Sequence, residues 1–284
     1  MRLKIAIQKK GRLSDNSKAL LKECGIKINN GKNQLMAKSY NFPIDFLFLR
    51  DDDIPQYVQD NVADLGIIGE NVFVEKNKNV VLKKRLGFSK CRLSLAVPKS
   101  VEYTGLSYFQ NKNIATSYPI ILQQYLDKKG INAAIHEISG SVEIAPNIGL
   151  AAGICDIVST GSTLMMNGLT EVEVIMQSEA VLITNPNLSE EKAAILEELI
   201  FRIEAVQKAK NNKYVVLNVP NDKIEMISAI LPGMKSPSVV ALQEEGWSAL
   251  HSVISESEFW ENIGKIKKAG AQGILVMPIE KMVL

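Results

Sequence analysis

Short apolar runs alternate with amphipathic stretches along almost the whole chain, and this alternation leaves few folds open. LKIAIQ (3–8), IDFLFL (44–49), ADLGII (63–68), RLSLAV (92–97), NIATS (113–117), NAAIHEI (132–138) and ICDIVS (154–159) read as strands. Their length and β-branched content separate them from buried helical segments. Helical periodicity falls at 14 onward, up to 62, and at 118–129, 142–152 and 189–210. Such alternation builds an α/β body. Ser14 and Ser141 are expected to cap the helices they precede, and Asp51, Asp52 and Asp53 to cap the helix after them. Adjacent strands at 171–176 and 180–184 are expected to return the chain from a second lobe to the first. The expected division is lobe I at 1–93 and 177–217, and lobe II at 94–176. The last part reads strand (213–219), helix (222–231), strands (239–242, 249–255), helix (256–269), strand (273–277). That order is a ferredoxin-like βαββαβ module, with 218–284 assigned to it.

The 284 residues are 46% hydrophobic and 23% charged, the balance of a globular chain with a proper core. A net charge of +2 supplies no global basic field for nucleic acid. No stretch approaches the roughly 18 apolar residues of a membrane span, and MRLKIAIQKKGRL is not expected to act as a signal peptide. Cys24, Cys91 and Cys155 are odd in number and widely spaced, which suits free thiols in a reducing compartment. A cytoplasmic protein is expected. Only His136 and His251 are present, neither at ligand spacing from Cys, Asp or Glu, so a zinc site or histidine-activated nucleophile is not expected.

The chemistry concentrates in CDIVSTGSTL, 155–164. A strand ends in Ser159, Thr160, Gly161, Ser162 and Thr163 before a helix starts, which is more hydroxyl than a turn requires. Backbone N–H groups and hydroxyls gathered there attract an anion, and Gly161 allows close backbone approach. GxxxxGK[ST] is absent, so this is no nucleotide P-loop. Asp156 precedes the loop, and Glu143 in GSVEIAP stands at another loop–element junction. The two carboxylates are expected to converge on one ligand, such as a phosphorylated sugar with vicinal hydroxyls. Lys9, Lys10 and Arg12 follow the first strand and Arg50 the IDFLFL strand, the ends at which open α/β sheets bind ligands. Gly69, Glu70 and Asn71 lie at a third such end. Tyr118 reads as a core or rim aromatic.

DIVSTGSTL with GSVE, QKKGRL, RDDDIP, DLGIIGEN, CRLSLAVP and IATSYP closely resembles the ATP phosphoribosyltransferase family, and PGMKSPS and GILVMPIEKM resemble its long form's regulatory domain. The resemblance implies a two-lobed catalytic body like the type II periplasmic-binding-protein fold. It implies transfer of the phosphoribosyl group of 5-phosphoribosyl-1-pyrophosphate to N1 of ATP, with release of pyrophosphate, as the first step of histidine biosynthesis. Residues 159–163 would hold the 5-phosphate, and Glu143 and Asp156 the ribose hydroxyls. Lys9, Arg12, Arg50, Gly69, Glu70 and Asn71 would serve ATP and pyrophosphate. Mg²⁺ would ride on the pyrophosphate, with Glu143 and Asp156 as further ligands. Histidine would inhibit through residues 218–284, with Asn218, Met234, Ser236 and Ser238 as its contacts; the two prolines of PGMKSPS would stiffen that loop. A homo-oligomer, from dimer to hexamer, is implied. Read from the residues alone, two alternatives stay open: a non-enzymatic anion-binding protein, and a phosphoribosyltransferase of type I, which places two adjacent acids before its loop where this chain has Asp156 alone.

Overall fold

The alternation folds into three sheets. The structure, a computed structural model, describes residues 1–29, 34–231 and 233–283. The chain opens with β1 (Leu3–Gln8), α1 (Arg12–Glu23), β2 (Ile28–Asn29), β3 (Met36–Ser39), β4 (Ile44–Leu49), α2 (Ile54–Gln59), β5 (Leu65–Gly69), α3 (Glu70–Lys76) and β6 (Val81–Arg85). It continues with β7 (Cys91–Pro98), β8 (Asn113–Thr116), α4 (Pro119–Lys129), β9 (Ala134–Glu137), β10 (Gly153–Val158), α5 (Ser162–Met166) and β11 (Leu169–Ser178). After β12 (Ala180–Thr184) and α6 (Glu190–Lys210) come β13 (Asn212–Pro220), α7 (Ile224–Ile230), β14 (Ser238–Ala241), β15 (Trp247–Ser255), α8 (Glu256–Lys268) and β16 (Gln272–Pro278).

The first sheet has the order β2-β3-β4-β1-β5-β12-β6, and β4, β1 and β5 run parallel at its centre. Ile5, Ile7, Phe46 and Ile67 are fully buried there, as expected of parallel strands covered on both faces. The second sheet has the order β11-β7-β10-β8-β9, with β10, β8 and β9 parallel. The chain crosses between the sheets at residues 86–90 and again at Glu179, and the crossings are stitched together. Leu86 donates to the Ala180 carbonyl, Ala180 to that of Phe88, and Glu70 to that of Glu179. This is a two-lobed α/β body. The third sheet, order β14-β15-β13-β16, is the ferredoxin-like arrangement. α7 and α8 bring Ile227, Phe259 and Ile266 onto Val215, Leu217, Leu250 and Ile254. Within α6 the chain divides into two compact units, residues 1–22 with 26–196 and residues 23–25 with 197–284.

Several local expectations are corrected. The helix expected at 142–152 is a single 3₁₀ turn, Val142–Ile144, followed by turns. Pro146 lacks the N–H a longer helix needs there, and Gly149 takes φ +73. Ser141 sits at φ 51, in the left-handed region, and its side chain caps nothing. Ser14 is no cap either: α1 begins at Arg12, and Ser14 is buried inside the first turn with its hydroxyl unpartnered. Asp51–Asp53 form a 3₁₀ turn, with no side-chain cap from Asp53 onto α2. The strands expected at 171–176 and 180–184 do form, as β11 in the second sheet and β12 in the first, so the chain returns there to the first lobe as expected. β3, β6 and α3 had no reading in the sequence, because MAKS and VLKKR are too polar and too short to announce themselves.

β10 has no room at its first residue. A Cβ on Gly153 would meet the Ala96 carbonyl oxygen at 2.7 Å and the Phe109 ring at 2.8 Å. Gly153→Ala is therefore expected to destabilise the protein by about 1–3 kcal/mol through overpacking, seen as a lowered melting temperature. An unchanged Tm would mean that this strand is more loosely packed than its neighbours imply.

Candidate active site

Because β4, β1 and β5 run parallel, their carboxyl ends present three short segments along one edge. Lys9, Lys10 and Arg12 follow β1, Arg50 and Asp51 follow β4, and Gly69, Glu70 and Asn71 lie at the end of β5. The Lys9 N–H donates to the Leu49 carbonyl at 2.8 Å, tying the first two ends together. Lys9, Lys10, Arg12 and Arg50 are exposed and, among the described residues, make no ion pair. Glu70 and Asn71 differ: their polar groups are committed within the protein. Glu70 pairs with Arg85. Asn71, 4% exposed, takes a 2.8 Å hydrogen bond from the Ser178 hydroxyl on its side-chain oxygen. Its backbone N–H donates to that same hydroxyl at 3.1 Å, and its amide nitrogen to the Tyr118 hydroxyl at 3.2 Å.

The second sheet answers from across the cleft. Tyr118 follows β8, Glu143 lies in the turn after β9, and Asp156 is carried by β10. Glu75 of α3, 5% exposed, accepts the N–H groups of Ile120 (2.9 Å) and Ile121 (3.0 Å) at the start of α4. A carboxylate on a helix N-terminus is favoured by charge and by otherwise orphaned donors. Glu75 and Ser178 were missed in the sequence. A glutamate inside a short helix carries the signal of a solvated residue, and a serine at a strand end carries none.

The electrostatics confirm that carboxylates gather here. Burial holds the Asp156 carboxyl above the usual range, the Ile157 N–H opposes this, and the like charge of Glu143 adds to the rise. Asp51 is raised by burial and by Asp52, against hydrogen bonds from backbone N–H groups and Gln8. The Tyr118 phenol is pushed up by burial and then by Asp156 and Asp52, with the Asn71 bond opposing. Acids from both lobes therefore surround one tyrosine hydroxyl. Beyond Asp156 the loop turns at Gly161, φ 81, a left-handed conformation that favours glycine. Ser159, Thr160, Ser162 and Thr163 are exposed around it, with the Thr160 and Ser162 hydroxyls 3.0 Å apart. Among the described residues no three or more His, Cys, Asp or Glu side chains gather as a ready-made metal site.

In the C-terminal unit, Met234 lines a cavity of about 280 Å³ with Asn212, Gly233, Ser255 and Glu258. Asn218 on β13 and Ser238 on β14 pair with Ala249 and His251 of the strand between them and do not line that cavity. Ser236 is exposed and also outside it. Of the two prolines in PGMKSPS, Pro232 lies outside the described residues.

Comparison with known proteins identifies the family. The family profile for ATP phosphoribosyltransferase matches residues 50–205, and that for the HisG C-terminal domain matches residues 209–281. An ATP phosphoribosyltransferase of Bacteroides thetaiotaomicron is 60% identical over 99% of this chain and 100% of its own length. One of Cytophaga hutchinsonii is 60% identical over 99% and 98%. Among solved structures, the ATP phosphoribosyl transferase (HisG:HisZ) complex from Thermotoga maritima is similar with a TM-score of 0.60 and 32% identity. That match covers 71% of this chain and 98% of the other.

The family match makes this two-lobed body with its ferredoxin-like module a transferase of the glycosyl-transferring class. The chain belongs to the ATP phosphoribosyltransferase family, in its long form, and its reaction is the first step of histidine biosynthesis. Membership removes the non-enzymatic and type I alternatives. Among the described residues no helix is long and apolar enough to cross a membrane.

The raised Asp156 carboxyl has a consequence for stability. A folded-state pKa above the unfolded value means that the wild type loses stability as pH rises through that folded value. Asp156→Asn cannot ionise, and its side-chain oxygen still accepts the Ile157 N–H. The ligand-free variant is expected to melt above the wild type at neutral pH, with the difference shrinking in acid. A variant that melts lower at neutral pH would contradict this.

Proposed function

We propose that residues 159–163 hold the 5-phosphate of 5-phosphoribosyl-1-pyrophosphate, that Glu143 and Asp156 engage its ribose hydroxyls, and that N1 of ATP attacks C1. The N1 lone pair forms the new bond to C1, and the bond from C1 to the pyrophosphate oxygen breaks with its electrons leaving on pyrophosphate. N1 needs no general base, so the work of the protein is alignment and charge stabilisation. The observation that carries the reading is Asp156: a half-buried carboxyl under the like charge of Glu143, on the strand that delivers the hydroxyl loop. Such a pair gains from hydroxyl donors and from cationic character developing at C1.

Lys9, Arg12 and Arg50, exposed and unpaired among the described residues, are the proposed partners of the triphosphate and the departing pyrophosphate. Gly69, Glu70 and Asn71 serve the same side by shaping its wall, since the polar groups of Glu70 and Asn71 already have protein partners. Mg²⁺ would enter as part of the substrate, carried on pyrophosphate oxygens. With only the Glu143–Asp156 pair to offer, the protein would leave most of its coordination to phosphate and water. The proposed division keeps lobe I at 1–93 and 177–196 and lobe II at 94–176; residues 197–217, expected in lobe I, group instead with 218–284, the proposed regulatory domain. That domain is proposed to bind histidine through Asn218, Met234, Ser236 and Ser238 and to inhibit by differential affinity for two states of a cytoplasmic oligomer, dimer to hexamer.

Pyrophosphate release on mixing the protein with ATP and the ribosyl donor tests the catalytic reading. Asp156→Asn and Glu143→Gln are each expected to cut turnover by about 10²–10³. Thr160→Val should instead raise mainly the KM for the ribosyl donor. Near-normal turnover in both carboxamide variants would remove the pair from the mechanism. Calorimetric titration of histidine, run beside initial rates, tests regulation: binding with a lowered rate is expected. No binding at millimolar histidine with unchanged rates would sink the regulatory assignment alone.

A further inference from the structure

The hydroxyl loop belongs to a longer crossover whose anchorage lies on a strand with no part in the site described so far. Residues 159–168 leave β10 and enter β11, and β7 runs between those two strands. The last residue of β10, Val158, pairs with Arg92, and the first of β11, Leu169, pairs with Pro98. The crossover therefore spans β7 from one end to the other, and Leu164 of α5 packs with Ala96 on that face. At its far end the Lys99 N–H donates to the Gly168 carbonyl at 2.8 Å, and the Asn147 side-chain amide donates to the Asn167 carbonyl at 3.1 Å. The near end, where the loop begins, is fixed by a side chain. Arg92 donates through Nη1 to the Ser159 carbonyl at 3.2 Å.

Arg92 is itself held. Its Nε and Nη2 donate in a bidentate pair to the two carboxylate oxygens of Glu171 on β11. Ser94, 0% exposed, donates its hydroxyl to the same carboxylate at 2.7 Å, and Ser94 is the cross-strand partner of Asp156. A bulge in β11 makes this arrangement possible. Glu171 pairs with Ala96 and Glu173 with Leu95, the register shifting between them. A one-residue slip reverses the face, so Glu171 lies on the face of the crossover while Glu173 turns to the Tyr103 hydroxyl on the other. An isolated, partly exposed ion pair of this kind adds little to stability. Its fork geometry and third contact are what a loop support requires, and a lysine cannot reproduce them.

We infer that Arg92 is a positioning residue for the ribosyl-donor loop, oriented by Glu171 and Ser94, and that it acts through the Ser159 carbonyl. With its charge matched by Glu171, it sets where the loop N–H groups and hydroxyls point without serving as the phosphate's own counter-ion. The inference rests on the reading that residues 159–163 hold the donor phosphate.

The test compares Arg92→Met, Arg92→Lys and Thr160→Val in the full-length protein. Arg92→Met is expected to raise the KM for the ribosyl donor about tenfold, the loss of one charge-assisted hydrogen bond. Its kcat and KM for ATP should stay near wild type. Arg92→Lys should recover the melting temperature but not the donor KM, since one ammonium cannot hold both Glu171 and the carbonyl. Amide hydrogen exchange of residues 159–163 in the ligand-free protein should quicken in both Arg92 variants. Unchanged exchange and donor KM in Arg92→Lys, or a loss confined to kcat, would overturn the positioning role, even if Arg92→Met fails to fold. If Thr160→Val also leaves the donor KM unchanged while exchange quickens in Arg92→Lys, the fault lies with the donor-loop reading and not with the strut.

Discussion

The Glu75 carboxylate, bound to the first N–H groups of α4, is the contact on which the arrangement of the cleft depends. It links the helix that follows β5 in one lobe to the helix that follows β8 in the other, and it does so away from water. A charge-assisted bond to a helix N-terminus is strong and directional, and losing it would leave the buried Ile121 N–H orphaned. Asn71 stands beside it, tied to Ser178 and to the Tyr118 hydroxyl. Together these bonds set the strand ends of one lobe against those of the other. Because they are satisfied within the protein, a ligand must be held by the groups left over.

Those groups are divided by charge in a way that suits a donor carrying phosphate at both ends and hydroxyls between. Raised carboxyls lie in the middle, an uncharged hydroxyl loop follows Asp156, and unpaired cations follow β1 and β4. The ligand-free protein thus keeps like charges close at Asp51 and Asp52 and at Asp156 and Glu143, a cost that the proposed substrate would relieve. In the proposed mechanism, stability and activity pull in opposite directions at Asp156 for this reason.

Much of the fold was legible because its strands are strongly periodic. Ile44–Leu49 was read to the residue, and the C-terminal module was read in its correct element order. The hydroxyl loop and Asp156 were legible because small polar residues in such number have no use in an ordinary turn. The failures have local causes: Pro146 and Gly149 interrupt a helical pattern that composition alone suggests, and Gly11 starts α1 ahead of the expected Ser14 cap. Polar or short elements such as β3, β6 and α3 emit no periodic signal.

By itself the sequence determined which segments are strands and helices, in what order, and which loop collects hydroxyls, because these follow from side-chain pattern over a few neighbouring residues. Only the tertiary structure decided that Glu75 belongs to the start of α4, that Asn71 is a joint between lobes, and that Arg92 and Glu171 stand behind the loop. Each of these is a hydrogen bond between residues 45 to 107 positions apart. Such partners are chosen by strand order, register and a single bulge, which no local pattern encodes.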